Sequence, residues 1–502
     1  MTDLGDFDLA VIGGGVNGAG IARDAAGRGL SVLLIEKHDF AEGTSSRSSK
    51  LVHGGLRYLE YYEFRLVRES LIEREVLLRA APHIVRPMRF VLPHSPEQRP
   101  AWLIRLGLFL YDHLGGRELL PSSGALDLAR APEGEPLRQA FSRGFAYSDC
   151  WVDDARLVVL NVLDASRLGA RVLSRTELIS ARRDGGEWSL SLRSGALESR
   201  ARARGLVNAA GPWVEDVERA TGANSAKRVR LVKGSHLITA KFWRGEQAYL
   251  LQSPDRRVVF VSPYEEDFAL IGTTDVPFAG SPEDVAIEES EVDELLGLVN
   301  RYFRRGPTRD DVLHCFSGVR PLFDDGADDA SAITRDYVFD LDAPAGAAPV
   351  LTIIGGKITT YRRLAERALE RLQPFFPAMT PLWTKGATLP GGALGGLGFS
   401  GFLSALASRN PWLPAEVALG YARRYGSRAE DLLRDAKSLE DLGRHFGGGL
   451  YEREALFLAA KEFAASADDV LERRTKHHLR LTPEQRSSFE VWFDAKNRTR
   501  TV

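Results

Sequence analysis

The sequence predicts a mixed α/β protein with three parts. A strand, glycine turn, helix and strand in FDLAVIGGGVNGAGIARDAAGRGLSVLLIEK indicate a parallel-sheet nucleotide-binding part. Two apolar runs joined by a polar turn, RVVFVSPYEEDFALIGTTD, indicate an antiparallel sheet. After the glycine-rich TLPGGALGGLGFSG, segments with helical periodicity such as EREALFLAAKEFA indicate a C-terminal helical part.

Length and composition agree with this division. A chain of 502 residues exceeds what one core normally holds, so two or three domains are expected. A formal net charge of -2 gives no overall attraction to nucleic acid, and no nucleic-acid partner is expected. The two cysteines, Cys150 and Cys315, are too few for a disulfide framework or a cysteine metal site. Both are expected in the core, and no metal is expected.

Neither a signal peptide nor a membrane span is expected. The first strand begins without a preceding basic segment, which argues against a signal peptide. The longest apolar stretch, AWLIRLGLFLYDHLGG (101–116), is shorter than the roughly 20 residues that cross a bilayer. It also carries Arg105 and Asp112, which further argues against a span.

The first glycine turn has the pattern of a dinucleotide site. In G-x-G-x-x-G, Gly13 allows the tight turn, Gly15 lets a pyrophosphate approach the backbone, and Gly18 lets helix and strand pack closely. The helix that follows presents its free N–H groups to the phosphates. Glu36 ends the next strand, where a carboxylate can bind ribose hydroxyls. The pattern predicts a Rossmann-like domain and is satisfied by either NAD or FAD.

A second polar segment, TSSRSSKLVHGGLRYLE (44–60), follows this motif and is expected to lie across the cofactor as a loop. Its hydroxyls at Thr44, Ser45, Ser46 and Ser49 can cap helices or bond phosphate oxygens. Apolar spacing after it predicts a helix over about 61–80.

This segment and several later blocks resemble the FAD-dependent, aerobic-type glycerol-3-phosphate dehydrogenases. The later blocks are GFAYSDCWVDDARLVV (144–159), GLVNAAGPW (205–213), LVKGSHLI (231–238), RVVFVSPY and ALIGTTD (within 257–275), FSGVRPL (316–322), AITRDY (332–337) and GGKITTYRRLAE (355–366). The resemblance implies an α/β fold: a Rossmann-like FAD-binding domain, an antiparallel-sheet substrate domain and a C-terminal helical domain. We expect the FAD-binding domain at 1–80, 145–225 and 315–375, the substrate-binding domain at 81–144 and 226–314, and the helical domain at 385–502.

FAD is the expected cofactor, and the sequence offers a suitable place for its ring. A reduced flavin needs a positive field near N1, which a helix N-terminus after the Gly355–Gly356 turn would supply. The residues expected to contact FAD are Gly13, Gly15, Asn17, Gly18, Glu36, Lys37, Thr44, Ser45, Ser46, Ser49, Lys50, Leu51, His53, Leu178, Ala210, Gly211, Trp213, Gly356, Lys357, Ile358 and Thr359.

The resemblance implies oxidation of sn-glycerol 3-phosphate at C2 to dihydroxyacetone phosphate, with hydride transfer to flavin N5. Such chemistry needs cations for a phosphate dianion and a base for the hydroxyl proton. The expected substrate contacts are Arg57, Tyr58, Arg257, Arg320, Lys357, His236 and Thr274, and the expected catalytic residues are His53, Arg320 and Lys357. The base stays open between His53, His236 and an arginine-assisted alkoxide.

The resemblance also implies electron transfer to a membrane quinone, at the inner face of the cytoplasmic membrane. FRLVRESLIEREVLLR and IRLGLFLYDHL place arginines beside apolar residues, as interfacial helices do. The sequence alone favours ordinary helices with one core face and one solvated face, so the expected membrane attachment rests mainly on the resemblance. A homodimer, an oxygen-reducing oxidase and a flavin-binding module without turnover stay open as alternatives. Arg473, Arg474 and Lys476, near the C-terminus, are expected on a solvated face.

Overall fold

A computed structural model describes residues 2–223, 227–253, 257–324 and 336–498. The strands are β1 (Thr2–Ile12), β2 (Val32–Ile35), β3 (Leu51–Val52), β4 (Val85–His94), β5 (Gly124–Asp127), β6 (Arg143–Val152), β7 (Arg171–Leu173), β8 (Glu177–Asp184), β9 (Glu187–Ser194), β10 (Leu197–Asn208), β11 (Val229–Ala240), β12 (Ala248–Gln252), β13 (Val258–Tyr264), β14 (Phe268–Gly272), β15 (Val276–Pro277), β16 (Val312–Phe323), β17 (Val338–Asp342), β18 (Val350–Ile354), β19 (His445–Gly447) and β20 (Leu450–Tyr451).

The helices are α1 (Val16–Gly27), α2 (Phe64–Ala80), α3 (Ala101–Leu114), α4 (Asp154–Arg167), α5 (Val214–Thr221), α6 (Glu289–Tyr302), α7 (Tyr361–Leu372), α8 (Gly398–Arg409), α9 (Ala415–Tyr425), α10 (Ala429–Leu432), α11 (Glu452–Lys461) and α12 (Pro483–Arg498). The helix predicted over about 61–80 begins at Phe64, after a 3-10 segment at Leu56–Tyr61. Among the described residues, none of these helices combines the length and the apolar character needed to cross a bilayer. Residues 332–335 of the AITRDY block lie outside the described residues.

The first sheet has the strand order β17-β18-β10-β1-β2-β7, and the hairpin β8–β9 extends from β10. Strands β18, β10, β1 and β2 are parallel. Central parallel strands are covered by helices, which explains the continuous apolar run Val32–Ile35. Helices α1, α4 and α7 pack together on this sheet around a core that includes Ile21, Val158 and Leu364. The carboxyl ends of β1 and β2 therefore lead directly into the glycine turn and Glu36.

The second sheet is mostly antiparallel, with the order β15-β11-β14-β13-β12-β4-β6-β3, and β16 pairs along most of β11. Three of its strands, β3, β6 and β16, lie wholly or mostly in ranges that were expected in the FAD-binding domain. Strand β6 pairs with β4 from Val85↔Val152 to His94↔Arg143, and β16 pairs with β11. The ladder partners of β6 and β16 come from distant parts of the chain, so their own apolar pattern could not assign them to a sheet.

The C-terminal part packs its helices around an apolar core that includes Tyr421, Leu458 and Phe489. A π-helical turn, Asp469–Thr475, faces the first sheet's domain. The expectation that Arg473, Arg474 and Lys476 form a solvated face is wrong, because all three side chains are buried.

These three cations form ion pairs with carboxylates that are distant in the sequence. Arg473 and Arg474 share the buried carboxylate of Asp39, with Arg474 Nη2 2.8 Å from Asp39 Oδ1. Lys476 Nζ lies 2.5 Å from Asp153 Oδ1. A buried charge is tolerated only with such a partner, and sequence spacing does not reveal one that is hundreds of residues distant. The expectation of burial is also wrong for Cys315, which is exposed on β16, whereas Cys150 is buried.

Candidate active site

A cavity of about 890 Å³ lies between the two sheets. One end, here called the dinucleotide end, is lined by the glycine turn Gly13–Asn17, Glu36, Leu178 and Trp213. The other end, here called the cationic end, is lined by Arg57, Tyr58, His236, Arg320 and Lys357. The cavity is therefore long enough to bring residues of both sheets to one elongated ligand.

The glycine turn has the close packing that its motif requires. Gly13 has φ +109°, and a Cβ there would lie 2.5 Å from the carbonyl oxygen of Ala209. A Cβ on Gly18 would collide with the carbonyl oxygen of Gly13, so Gly18 serves helix packing and does not line the cavity. The buried Asn17 Oδ1 has no hydrogen-bond partner among the described residues. An open backbone turn with an unpaired polar atom beside it fits the pyrophosphate region of FAD.

Glu36 sits at the end of β2 with its carboxylate against the turn. Its Oε2 accepts a hydrogen bond from Gly14 N (2.6 Å) and its Oε1 accepts one from His38 N (2.8 Å). Burial raises the pKa of Glu36, although these two N–H groups oppose the shift. A carboxylate in this position can accept hydrogen bonds from ribose hydroxyls.

Beyond Glu36, two residues that line the cavity, Lys37 and Trp213, contact the second sheet's domain. Lys37 Nζ lies 4.2 Å from the ring centroid of Trp213, and both residues donate to Glu283 Oε1, at 2.6 and 2.5 Å. Partial burial opposes the ionisation of Glu283, but hydrogen bonds from Lys37 and Ser281 lower its pKa to about 2. Glu283 was not among the expected site residues, because the acid-rich SPEDVAIEES around it has the composition of an ordinary solvated turn.

The loop after β2 spans the cavity, and a buried ion pair fixes it. Lys50 Nζ lies 2.9 Å from Asp154 Oδ1, and Ser48 Oγ donates to the same carboxylate at 2.7 Å. Burial lowers the pKa of Lys50, and Asp154 opposes that shift. Ser45 Oγ accepts a hydrogen bond from Val16 N (2.9 Å), which places it at the start of α1. Lys50 therefore points away from the cavity, whereas Thr44, Ser45 and Ser49 line it.

Lys357 is the central cation of the cationic end. Its Nζ donates to the carbonyl oxygen of His53 (2.5 Å) and lies 5.1 Å from the ring centroid of Tyr58. Burial lowers the pKa of Lys357 to about 7; Asp149 opposes this shift and Arg74 adds to it. An amine with a pKa near neutrality can accept a proton in a reaction at neutral pH.

Behind Lys357, a buried network holds the turn that contains His53 and Gly54. Asp149 accepts hydrogen bonds from Arg74 Nη1 (2.6 Å) and Tyr111 OH (2.7 Å). Tyr111 OH in turn accepts one from Gly55 N (3.1 Å). Asp149 was not among the expected site residues, although a carboxylate inside the apolar strand FAYSDCWV itself indicates a buried partner.

Arg320 projects from β16 into the same end of the cavity. Its guanidinium group pairs with Asp275 and donates to Thr273 Oγ1 at 3.0 Å. Gly234 on β11 leaves room for this group, because a Cβ there would lie within 3 Å of the Arg320 guanidinium group and of Thr273 Oγ1. Arg57, from the 3-10 segment, donates to Tyr61 OH at 3.1 Å.

Of the two candidate histidines, His236 is buried and His53 is half-buried, and both are neutral. Burial lowers the pKa of His236 well below its ordinary value, and Arg320 and Lys50 lower it further. Its Nε2 lies 2.9 Å from Ser49 Oγ, and its Nδ1 has no hydrogen-bond partner among the described residues. Burial also lowers the pKa of His53 well below its ordinary value, as do Lys357 and Arg74. Both imidazoles are therefore weak bases in this site.

The structure brings most of the predicted site residues to the cavity. Those that line it are Gly13, Gly15, Asn17, Glu36, Lys37, Thr44, Ser45, Ser49, Leu51, His53, Arg57, Tyr58, Leu178, Ala210, Gly211, Trp213, His236, Arg320, Gly356, Lys357 and Ile358. Those that lie outside its lining are Gly18, Ser46, Lys50, Arg257, Thr274 and Thr359.

The side chains outside the lining are engaged elsewhere. Arg257 Nη1 lies 2.7 Å from Glu294 Oε1 on α6. Thr274 Oγ1 donates to the buried Glu291 at 2.7 Å, so its hydroxyl points behind the cavity wall. Thr359 Oγ1 accepts a hydrogen bond from His53 N at 3.2 Å. The direction in which each of these side chains faces depends on partners from other elements, which the sequence pattern does not show.

Comparisons with known proteins agree with this geometry. A family described as FAD dependent oxidoreductase matches residues 8–362, and one described as the C-terminal domain of alpha-glycerophosphate oxidase matches residues 382–488. D-erythritol 1-phosphate dehydrogenase of Brucella abortus is 59% identical over 500 residues, covering 99% of each chain. Glycerol-3-phosphate dehydrogenase of Pseudomonas aeruginosa is 55% identical, covering 95% of this chain and 93% of the relative.

A solved structure gives the same result for the fold. The glycerol-3-phosphate dehydrogenase from Bacillus halodurans, complexed with FAD, superposes with a TM-score of 0.75 at 27% sequence identity, covering 98% of this chain and 94% of that one. The predicted fold class and the predicted cofactor are confirmed. The chain belongs to the FAD-dependent glycerol-3-phosphate dehydrogenase family and is an oxidoreductase whose cofactor is FAD.

Proposed function

We propose that the protein oxidises sn-glycerol 3-phosphate at C2 to dihydroxyacetone phosphate and passes the electrons to a membrane quinone. The observation that supports this most directly is the cationic end, where Arg57, Arg320 and Lys357 line one cavity with the glycine turn. When bound, FAD supplies the hydride acceptor. The two guanidinium groups bind the phosphate dianion, since a planar guanidinium donates two parallel hydrogen bonds to such a group.

Lys357 is the proposed acceptor of the C2 hydroxyl proton. Its pKa of about 7 leaves a large neutral fraction at neutral pH, and its position between the His53 carbonyl and Tyr58 faces the cavity. His53 and His236 have pKa values well below the ordinary one, so they are poorer proton acceptors. His236 instead orients the substrate through its unpaired Nδ1, with Ser49 fixing the opposite ring nitrogen at 2.9 Å.

Anaerobic mixing with sn-glycerol 3-phosphate tests the reaction. The expected result is rapid bleaching of the yellow flavin absorbance and formation of one dihydroxyacetone phosphate per flavin. A flavin that stays yellow would overturn the proposal and favour a flavin-binding module without turnover. In air, peroxide release matching substrate consumption would identify an oxidase, whereas reduction of an added quinone without peroxide supports the proposed acceptor.

D-erythritol 1-phosphate is a second candidate substrate, because the Brucella relative named for it is 59% identical to this chain. It carries one carbon more than glycerol 3-phosphate and the same phosphate group, so the cationic end would bind either. A comparison of kcat/KM for the two substrates decides between them, because discrimination is a difference in transition-state binding. A higher kcat/KM for D-erythritol 1-phosphate would show that it, and not sn-glycerol 3-phosphate, is the preferred substrate.

We further propose that the protein docks peripherally on the inner face of the cytoplasmic membrane through α3. Trp102, Leu106 and Phe109 lie on one side of this helix and are 68%, 47% and 57% exposed. Arg105 lies among them and can reach anionic headgroups. On the opposite side of α3, Tyr111 bonds Gly55 in the cavity wall, so α3 packs on this wall with its exposed face turned outward.

Sedimentation with vesicles containing anionic lipid tests this surface. A variant with Trp102→Ser, Leu106→Ser and Phe109→Ser is expected to stay in the supernatant, while its anaerobic flavin reduction is unchanged. The matched control changes exposed apolar residues elsewhere, Leu197→Ser and Val491→Ser, which are 76% and 71% exposed. Equal vesicle binding of both variants would show that α3 is not the docking surface.

A further inference from the structure

A buried carboxylate behind the cavity wall connects several parts of the cationic end. Glu291 lies in the first turn of α6 and is 3% exposed. Its Oε1 accepts hydrogen bonds from Thr274 Oγ1 (2.7 Å) and Ser235 Oγ (2.9 Å). Its Oε2 accepts one from Glu288 N (2.9 Å) and lies 2.9 Å from Lys233 Nζ. Four donors from three separate segments therefore converge on one side chain.

Two of these donors belong to the segments that hold the active-site side chains. Thr274 lies between Thr273 and Asp275, and both of these neighbours bond the Arg320 guanidinium group. Ser235 precedes His236 on β11, and its backbone N–H donates to Thr274 Oγ1 at 2.9 Å. Through Thr274, Glu291 is thus connected to Thr273 and Asp275, the two residues of this turn that bond Arg320.

The carboxylate is suited to a fixed, charged role. Burial acts to raise the pKa of Glu291, but hydrogen bonds from Thr274, the Glu288 backbone and Lys233 lower it overall. The N-terminus of α6 also favours a negative charge at this position. Glu288 and Glu291 form a capping box at the same helix end, so the geometry of α6 locks the carboxylate in place. An ionised group with four donors has little freedom to move, and neither do its donors.

We propose that Glu291 is a positioning residue that holds the Thr273–Asp275 turn so that the turn presents Arg320 to the substrate. This inference rests on the proposed function, in which Arg320 binds the substrate phosphate. Glu291 does not line the cavity, and it acts only through Thr274 and Ser235. The role distinguishes it from Glu289, in the same helical turn, which faces solvent and pairs with Arg309.

The test compares Glu291→Gln with the matched control Glu289→Gln in the FAD-loaded enzyme. Glu291→Gln is expected to lower kcat/KM for sn-glycerol 3-phosphate about tenfold, mainly by raising KM, as expected when a binding group is displaced. Flavin content is expected to stay at the wild-type level in both variants. Unchanged kcat/KM in Glu291→Gln, or an equal loss in Glu289→Gln, would overturn the proposal.

A double-mutant cycle with Arg320→Lys shows whether the effect passes through Arg320. If it does, Glu291→Gln adds less than about twofold to the loss already caused by Arg320→Lys, because residues that act as a unit are not additive. Additive losses would overturn the inference and leave the proposed function standing. Wild-type activity of Arg320→Lys would overturn the role of Arg320 in the proposed function, and the inference with it.

Thr274→Val provides a second, milder variant should Glu291→Gln fail to fold. It keeps the size of the side chain and removes the one hydroxyl that joins the turn to Glu291. The same rise in KM and the same non-additivity with Arg320→Lys are expected. Wild-type KM in a folded, flavin-loaded Thr274→Val protein would contradict the proposed connection.

Discussion

The dinucleotide end of the cavity is built around one continuous strand–helix–strand unit, whereas the cationic end is made of side chains from four separate segments. At the first, Gly13 to Glu36 supply turn, helix N-terminus and carboxylate within a single strand–helix–strand unit. At the second, Arg57, His236, Arg320 and Lys357 come from a 3-10 segment, two strands of the second sheet and a turn after β18. Local geometry therefore governs cofactor binding, and tertiary packing governs the chemistry.

The largest expected effect comes from removing Arg320, which tests whether catalysis at the cationic end is independent of FAD binding at the dinucleotide end. Arg320→Ala is expected to lower the rate of anaerobic flavin reduction by about 10³-fold, the usual cost of losing a charged group that contacts the reacting substrate. FAD content is expected to remain at the wild-type level, because Arg320 bonds Asp275 and Thr273 and not the glycine turn.

Arg219→Ala is the matched control for this loss. Arg219 also lines the cavity, but beside Trp213 and Asp216 at the far end. Its loss is expected to leave the reduction rate within about twofold of wild type, as for most exposed substitutions. If Arg320→Ala loses FAD as well, the two ends are not independent and the comparison fails.

The converse substitution, Gly13→Ala, changes the dinucleotide end alone. Gly13→Ala is expected to weaken FAD binding about 100-fold, since Gly13 has φ +109° and a Cβ would lie 2.5 Å from the Ala209 carbonyl oxygen. Gly29→Ala has a similar positive φ of +88° with nothing near its Cβ, so it controls for backbone strain alone. Equal FAD affinity in both variants, measured by equilibrium dialysis, would show that the close approach is unimportant.

The same difference explains what the sequence could and could not predict. The glycine turn and Glu36 follow from spacing alone, because both belong to one strand–helix–strand unit and Glu36 bonds the turn itself at Gly14 N. Arg257 and Thr274 were expected at the cavity and face Glu294 and Glu291 instead, and those partners on α6 are visible only once the second sheet is folded. The expected solvated face of Arg473, Arg474 and Lys476 failed for the same reason, since Asp39 and Asp153 are remote in sequence.

The pH dependence of reduction tests whether Lys357 accepts the proton. Burial places its pKa at about 7, so the neutral, proton-accepting form increases as pH rises through that value. We expect kcat/KM to rise up to tenfold per pH unit below about pH 7 and to level above it. Lys357→Met is expected to be slower and to lose this rise. A rise that persists in Lys357→Met would assign the proton to another group.

The smallest expected effect is a change in the rate of FAD release, and it concerns the contact of Glu283 with Lys37 and Trp213 at the dinucleotide end. Glu283 accepts hydrogen bonds from Lys37 and Trp213, so it joins the second sheet's domain to the wall of the cofactor cavity. Glu283→Gln removes the charge that pairs with Lys37 and is expected to speed FAD release about threefold, because a partly exposed ion pair contributes modestly. Raised salt should speed release from the wild-type protein and leave the variant less affected.

Asp284→Gln, the neighbouring acid, is the control and is expected to release FAD at the wild-type rate. Release is followed by the recovery of flavin fluorescence after dilution, which reports departure from the site directly. Glu283 belongs to a turn before α6, in the second sheet's domain. Faster release from Glu283→Gln would therefore show that this domain helps to hold the cofactor at the dinucleotide end. Identical rates and salt responses in wild type and Glu283→Gln would mean that the dinucleotide end depends on its own segment alone.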